Sequence, residues 1–144
     1  MVKFELVTLN GVKYSEEAYE VQLPTPQGYV GIFPHHAPLV TLAVPGVISV
    51  RTKANQPDDQ MEHFATNGGV IEISDDTIRV LVDEADAAEE INEAEIQKAL
   101  EQAKKLRAEA KDQVSLDNAQ NLIDRQAVRL QVAGLKRRRR SQYK

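Results

Sequence analysis

Three histidines and two pairs of adjacent aspartates are the side chains of this sequence that could hold a metal ion or transfer protons. Neighbouring side chains of an extended chain point to opposite sides, so His35 and His36 suit a shared metal poorly. We expect both of them, and His63 within a strand, to be hydrogen-bonded histidines rather than ligands. Asp58-Asp59 and Asp75-Asp76 are typical of solvated turns, not of a general acid and base. The sequence also lacks nucleophile-elbow, Walker and dinucleotide motifs, and we therefore predict a noncatalytic protein without a metal site.

A dense basic run, Lys136-Arg137-Arg138-Arg139-Arg140, lies near the end of the sequence. Residues 104–144 carry 12 basic and 4 acidic side chains, whereas residues 1–84 carry 5 basic and 12 acidic ones. The run could bind nucleic acid, meet an acidic face of a protein partner, or form a solvated helix end. The last third contains a single aromatic residue, Tyr143, and the acidic first half would repel phosphate, so nucleic acid is the weaker alternative.

The elements that position these residues change in type near residue 84. All 6 prolines and 6 of the 7 glycines lie between Gly11 and Gly69, whereas the sequence from Asp86 onward is rich in Ala, Leu, Glu, Lys, Gln and Arg. We therefore predict a β domain over residues 1–84 and an α-helical domain over residues 85–144. The apolar stretches are too short to span a bilayer, no signal peptide is expected, and the absence of cysteine excludes disulfides.

Short apolar runs separated by turn residues fill the first domain. We predict strands over eight runs: Val2–Leu9, Ala18–Leu23, Val30–Phe33, Leu39–Leu42, Val47–Thr52, Met61–Thr66, Val70–Ser74 and Thr77–Val82. With no helix between them, these strands indicate a small antiparallel β-sandwich of about 8–10 strands. Between Gly28 and Leu39, two glycines and two prolines predict a stiff surface loop.

The second domain carries two apolar stripes at helical spacing. Asn92 followed by Glu95 has the form of a capping box, and it predicts a first helix from about Asn92 to Lys111. Ser115 or Asp117 would cap a second helix, and the two helices would form an antiparallel hairpin. About half of the seam positions are alanine, which buries little area, so the hairpin must dock on the β domain or on a partner. Permanent docking and a switching hairpin both fit this pattern.

An ordered set of motifs resembles the epsilon subunit of bacterial F-type ATP synthase, a family shared with the mitochondrial delta subunit. The set comprises Gly28-x-x-Gly31-Ile32-x-Pro34-x-His36-Ala37-Pro38-Leu39, then Pro45-Gly46, then Phe64-Ala65-x-x-Gly68-Gly69-Val70-x-Glu72, and finally the charged helical tail. The resemblance implies an N-terminal β-sandwich with a C-terminal helical hairpin. It also implies a rotor subunit of the central stalk that couples the gamma subunit to the c-ring, on the cytoplasmic face of the bacterial membrane.

The resemblance further implies where the partners bind. Contacts with the c-ring and gamma are expected at Gln27, Gly28, Tyr29, Gly31, Pro34, His36, Pro38, Pro45 and Gly46. Many relatives carry an acidic or polar residue at the position of Tyr29, so a charged contact is not expected there. In many bacterial members the hairpin extends toward the alpha and beta subunits and suppresses ATP hydrolysis. Arg125, Arg129, Arg137, Arg138, Arg139 and Arg140 are the residues expected to meet acidic loops of beta.

Some relatives bind ATP on the folded hairpin through an Ile/Leu-Asp-x-x-Arg-Ala motif at the start of the first helix. The aligned segment here is Ile91-Asn92-Glu93-Ala94-Glu95-Ile96, in which an amide replaces the acid and a glutamate replaces the arginine. Arg125 and Arg129 match basic positions of the second helix. Because glutamate repels phosphate, we expect weak or no ATP binding and no other cofactor.

Overall fold

Ten strands precede two helices in the computed structural model of this chain, which describes the backbone of residues 1–142 and the side chains of residues 1–136. The strands are β1 (Val2–Thr8), β2 (Gly11–Ala18), β3 (Glu20–Thr25), β4 (Gly28–Ile32), β5 (Leu39–Ala43), β6 (Gly46–Arg51), β7 (Glu62–Thr66), β8 (Gly69–Ser74), β9 (Thr77–Val82) and β10 (Ala85–Ala87). The helices are α1 (Glu93–Glu109) and α2 (Gln113–Gln142), and 3₁₀ turns lie at Asp58–Gln60 and Ala88–Glu90.

The strands form two five-stranded sheets that face each other. Sheet A has the order β2-β1-β9-β8-β5 and sheet B the order β10-β7-β6-β3-β4. The predicted β-sandwich is thereby confirmed. The described strands pair antiparallel except for β1 and β9, which run parallel, with Phe4 opposite Ile78 and Leu6 opposite Val80.

The main core fills the space between the sheets. Alternate residues of each strand point inward, so Phe4 and Leu6 of β1 meet Ile78 and Val80 of β9 without solvent exposure. Every buried member of this core lies between Val2 and Ala85. The sandwich therefore closes its core without any hairpin residue.

Two strands lie outside the predicted set. Five of the eight residues of β2 are glycine, lysine, serine or glutamate, and its Val12 is exposed. This edge strand therefore lacks a clear apolar alternation. The strand β10 has three residues and pairs with β7 through Ala85, Asp86 and Ala87. Sheet B thus extends to Ala87, beyond the residue 84 at which the composition changes.

The hairpin begins with the predicted cap. The Asn92 side-chain oxygen accepts the backbone N–H groups of Ala94 and Glu95 at 3.0 and 3.2 Å. The prediction for the second helix was wrong by a few residues, because α2 begins at Gln113 and Asp112 provides its cap. The Asp112 carboxylate accepts the Ser115 N–H at 2.7 Å, and this bond lowers the pKa of Asp112.

A second, smaller apolar cluster attaches the hairpin to the outer face of sheet B. Val47 of β6 and Ala65 of β7 point outward there and pack under α2, where Val132 is fully buried. Val128, Leu135 and Ile91 surround this contact. The structure thus holds the hairpin docked on the β domain through a few small side chains, which is one of the two alternatives that the sequence left open.

Candidate functional site

Five of the predicted interface residues lie at one end of the sandwich, which we call the Tyr29 end: Gln27, Gly28, Tyr29, Pro45 and Gly46. The β3–β4 turn and the β5–β6 turn meet there, and the Val44 N–H donates to the Pro24 carbonyl at 3.1 Å. The Tyr29 hydroxyl accepts the Val47 N–H at 3.0 Å, while the Tyr29 side chain remains 57% exposed. A Cβ at Gly46 would lie 2.8 Å from that hydroxyl, so glycine permits the close approach.

Pro34, His36 and Pro38 lie at the opposite end of the sandwich, in the loop between β4 and β5. Leu39 at the start of β5 pairs with Ile73 near the β8–β9 turn, whereas Ala43 at its other end pairs with Gly69. The loop and the Tyr29 end are therefore separated by the length of a strand. The structure does not bring all of the predicted interface residues onto one surface.

The loop before β5 is held in a defined shape, as the sequence predicts. The His35 N–H donates to the Asp76 carboxylate at 2.6 Å, and His35 adopts a φ of 68°. Asp75 and Asp76 form the facing turn with φ values of 50° and 56°. The His36 ring nitrogen Nδ1 lies 2.6 Å from the Ala37 carbonyl, which is the hydrogen-bonded loop histidine expected.

Gly31 has a structural role in the middle of β4. A Cβ there would lie 2.8 Å from a carboxylate oxygen of Glu20, which is nearly buried. Arg51 donates to Glu20 at 3.0 Å and also to Asp58 and the Gln56 carbonyl, so it ties the loop after β6 to the sheet. Hydrogen bonds to Asp58 and Glu20 raise the pKa of Arg51.

An apolar row on the outer face of sheet A was missed by the sequence reasoning. It runs across all five strands in register: Leu42 opposite Val70, Val70 opposite Leu81, Leu81 opposite Val7, and Val7 opposite Val12. Leu42 is 60% exposed, Leu81 43% and Val12 65%. We call these five residues the apolar row.

A charged row lies two residues along the same face, where Glu72 pairs with Arg79 and Arg79 with Glu5. Arg79 contacts Glu5 at 3.1 Å, and the pKa of Glu5 is lowered by Lys3 and Arg79. An apolar centre beside charged residues is the usual composition of a protein-binding surface. The available signal was that β5, β8 and β9 carry large apolar residues at outward as well as inward positions.

Arg125 and Arg129, predicted to contact a partner, are already paired within this chain. Arg129 contacts Asp86 at 2.7 Å and Glu84 at 3.7 Å, and Arg125 contacts Glu84 at 3.4 Å. Glu84 directly precedes β10 and Asp86 belongs to it, so both lie shortly before the hairpin. Arg137, Arg138, Arg139 and Arg140 lie along α2, but their side chains are outside the described part of the structure.

A cavity of about 280 Å³ lies between β10, the following 3₁₀ turn and the two helices. Asp86, Glu90 and Glu95 line it together with Arg129 and the uncharged side chains of Asn92 and Gln126. Glu90 also pairs with Lys13 of β2. The three carboxylates would repel phosphate in this cavity, and the expectation of weak or no ATP binding stays a prediction.

His63 is a hydrogen-bonded strand histidine, as predicted, with its Nδ1 atom 2.8 Å from the Ser49 hydroxyl. Among the described residues, no group of three or more His, Asp or Glu side chains is placed to hold a metal ion. Neither helix, as far as its residues are described, combines the length and the apolar character that crossing a membrane requires.

A family model described as the beta-sandwich domain of the ATP synthase delta/epsilon chain matches residues 1–88. The ATP synthase epsilon chain of Herpetosiphon aurantiacus is 34% identical over 139 residues, which cover 96% of this chain and 98% of that protein. The ATP synthase epsilon chain of Xanthomonas campestris pv. campestris is 35% identical, with 97% of this chain and 96% of that protein covered. These relatives span both domains and give no support to the nucleic-acid alternative.

Two solved structures share the fold. A chain of the cryo-EM structure of the Euglena gracilis mitochondrial ATP synthase, OSCP/F1/c-ring, aligns with a TM-score of 0.76 at 19% identity, over 92% of this chain and 80% of that one. A chain of the Tetrahymena thermophila mitochondrial ATP synthase central stalk and c-ring aligns with a TM-score of 0.59 at 15% identity, over 94% and 96%. At these identities the likeness concerns the fold.

Proposed function

The chain belongs to the delta/epsilon chain family of ATP synthases, and we propose on this basis that it is a noncatalytic central-stalk subunit of an F-type enzyme. In this role it rotates with gamma and couples gamma to the c-ring during proton-driven ATP synthesis. The observation that carries the proposal is the match to epsilon chains over more than nine tenths of the chain, hairpin included. The subunit would then be peripheral, at the cytoplasmic face of a bacterial membrane.

Two separate surfaces support two different contacts. The Tyr29 end is built from tight turns and presents the ring of Tyr29, which suits a contact with the polar loops of a c-ring. The apolar row and the charged row beside it form a broad face that suits a stable, stoichiometric partner, which we assign to gamma. The loop with His36 borders this face, because Leu39 leads from the loop into β5. We therefore place His36 with the gamma contact and not with the ring.

Rigidity of the sandwich supports a role in transmitting torque. Both ends of β4 are braced by side-chain bonds, at one end from Tyr29 to β6 and at the other through the Asp76 contact with the loop that follows. The sheets are closed around a fully apolar core. A force applied at the Tyr29 end would thus reach the apolar row without local yielding.

We also propose that the hairpin inhibits ATP hydrolysis when it leaves sheet B and reaches the alpha and beta subunits. The docked contact is small, since it rests on Val47, Ala65, Ala88 and Val132 with three half-buried neighbours. Release would uncover the basic residues of α2, including Arg125 and Arg129. These could then meet acidic loops of beta.

The test compares ATP hydrolysis by the reconstituted catalytic complex with the full chain and with a chain that ends at Glu90, which retains β10. We expect a lower hydrolysis rate with the full chain and equal co-purification of gamma with both forms. Equal hydrolysis rates would contradict the inhibitory role. Loss of gamma from both forms would contradict the rotor assignment itself.

A further inference from the structure

The cavity between β10 and the two helices has a lining that is poorly suited to a nucleotide. Its lining includes three carboxylates, those of Asp86, Glu90 and Glu95, together with the guanidinium of Arg129. Each of the three guanidinium nitrogens of Arg129 already faces an acceptor of the chain: Nε contacts Asp86 at 2.7 Å, Nη1 lies 3.5 Å from the Gln126 side-chain oxygen, and Nη2 lies 3.7 Å from Glu84. A triphosphate would have to displace these acceptors and approach the remaining carboxylates. Electrostatic repulsion between the phosphates and these carboxylates opposes that exchange.

The carboxylates of Glu84 and Asp86 contact the two arginines of α2. Glu84 lies between the two arginines, 3.4 Å from Arg125 and 3.7 Å from Arg129. Asp86 completes the contact from β10, whose backbone is fixed by pairing with β7. The anion is therefore part of the chain and is always present beside the docked helix. We call Glu84, Asp86, Arg125 and Arg129 the hinge clasp.

We infer that the hinge clasp holds the hairpin docked without a bound nucleotide and competes for the same arginines with any acidic partner surface. Docking on sheet B and binding to an acidic protein face then exclude each other at Arg125 and Arg129. The competition with a partner rests on the proposed inhibitory role. The docking function of the clasp does not, since it concerns the isolated chain.

The exposure of the clasp determines what controls it. The Glu84 side chain is 50% exposed, and those of Arg125 and Arg129 are 36% and 26% exposed. Ion pairs at such positions are weakened by salt, because mobile ions screen them. The apolar cluster under α2 is small and is not screened. The docked fraction should therefore fall as ionic strength rises, and ATP should act through its ionic strength alone.

The sequence contains no cysteine, so a reporter pair can be introduced without interference. Ala65 of β7 and Val128 of α2 belong to the apolar cluster that joins sheet B to α2. A disulfide between Ala65→Cys and Val128→Cys in a glutathione redox buffer reports the docking equilibrium of the full chain. The test variant adds Glu84→Gln and Asp86→Asn. The matched control adds Asp83→Asn and Glu89→Gln, which change the charge of the same segment equally but leave the clasp intact.

We expect the equilibrium constant for docking to be about tenfold lower in the test variant, because two or three partly exposed ion pairs are lost. Most of the dependence of docking on NaCl should disappear as well. The control should behave as the parent chain. The exchanged pair Asp86→Arg with Arg129→Asp should restore docking if the contact itself is responsible. Thermal unfolding of each variant should show the sandwich intact.

Three results would overturn the inference. The first is equal docking of test and control variants, and the second is docking of the parent chain that does not change between low and high NaCl. The third is stronger docking with MgATP than with NaCl at the same ionic strength. None of these results bears on the binding of gamma, so a failure here is distinct from a failure of the rotor assignment.

Discussion

Some residues of this chain have structural roles that their type alone does not reveal. The pair Gly68-Gly69 looks like an ordinary turn, yet its members are required for different reasons. Gly68 has a φ of +100°, a conformation that other residues rarely adopt. Gly69 lies so close to β9 that a Cβ would be 1.9 Å from the Leu81 carbonyl oxygen. The first glycine serves the turn and the second serves the contact between strands.

Gly69→Ala should reduce the free energy of unfolding by roughly 3 kcal/mol, because the new methyl group must push two backbones apart. Gly31→Ala is the graded comparison, since its Cβ would meet the end of the Glu20 side chain, which can rotate. We expect that change to cost about 1 kcal/mol. Denaturant unfolding measures both, and an equal loss in the two variants would contradict the backbone clash.

Tyr14 should make stability depend on alkaline pH. Its ring packs against Phe4 and Phe64, and burial, with Glu62 and Glu16 nearby, raises its pKa to about 12 from an ordinary value of 10. The folded state keeps the proton that the unfolded chain loses, so the free energy of unfolding should fall as pH rises from about 10 to about 12. Below pH 10 it should be constant in this respect. Unfolding of Tyr14→Phe over the same range should show a shallower fall, and an unchanged slope would refute the assignment.

At the scale of the elements, the two faces of sheet A have different purposes. The inner residues of β8 and β9 close the core, while the outer ones continue the apolar row into solvent. Period-two alternation should leave polar residues outside on a solvated antiparallel sheet, and Leu42, Val70 and Leu81 break that rule together. An apolar residue on one strand is common, but a row in register across five strands indicates a binding face.

The double variant Leu42→Asp with Leu81→Asp should bind gamma with an affinity at least about tenfold lower. The isolated subunit should unfold at nearly the same temperature, since both side chains are already exposed. Leu106→Asp with Val114→Asp is the control, because it places the same charges at exposed apolar positions of the hairpin. Equal gamma binding by the two double variants, measured by titration, would remove the apolar row from the interface.

The whole molecule has two apolar clusters of unequal importance. The larger one lies between the sheets and draws its buried members from residues 2–85, and the smaller one joins sheet B to α2. A domain that closes its core without its neighbour should fold without it. The hairpin has no comparable core, because about half of its seam positions are alanine.

A chain ending at Glu90 should therefore remain folded, with a melting temperature within several degrees of that of the full chain. It loses the cover over Val47 and Ala65 but none of the buried members of the main core. The separate segment 91–144 should show little cooperative helix. Circular dichroism during heating measures both, and an unfolded 1–90 chain would show that the hairpin is part of the folding unit.

Patterns along the chain were sufficient for the fold class, for most strands and for the first helix. Those features depend on neighbours in sequence, such as alternation in β9 or the cap at Asn92. The strand β10 escaped prediction because three residues are too few to show a period, and β2 escaped because it lacks a clear apolar alternation. The cap at Asp112 was missed because Ser115 and Asp117, a few residues on, are equally good capping types. The opposite positions of Tyr29 and His36, seven residues apart, also required the structure, since a strand between them separates the two ends.

By itself the sequence determined a β-sandwich followed by a helical hairpin and the family to which the chain belongs, whereas weak ATP binding stays a prediction. The tertiary structure alone decided which outward residues join into the apolar row and which carboxylates hold Arg125 and Arg129. The physical reason is that both features join residues on separate elements, as far apart in sequence as Val7 and Leu81 or Glu84 and Arg125, and such contacts depend on strand order and helix docking. Local pattern records what a residue prefers, whereas packing determines what it meets.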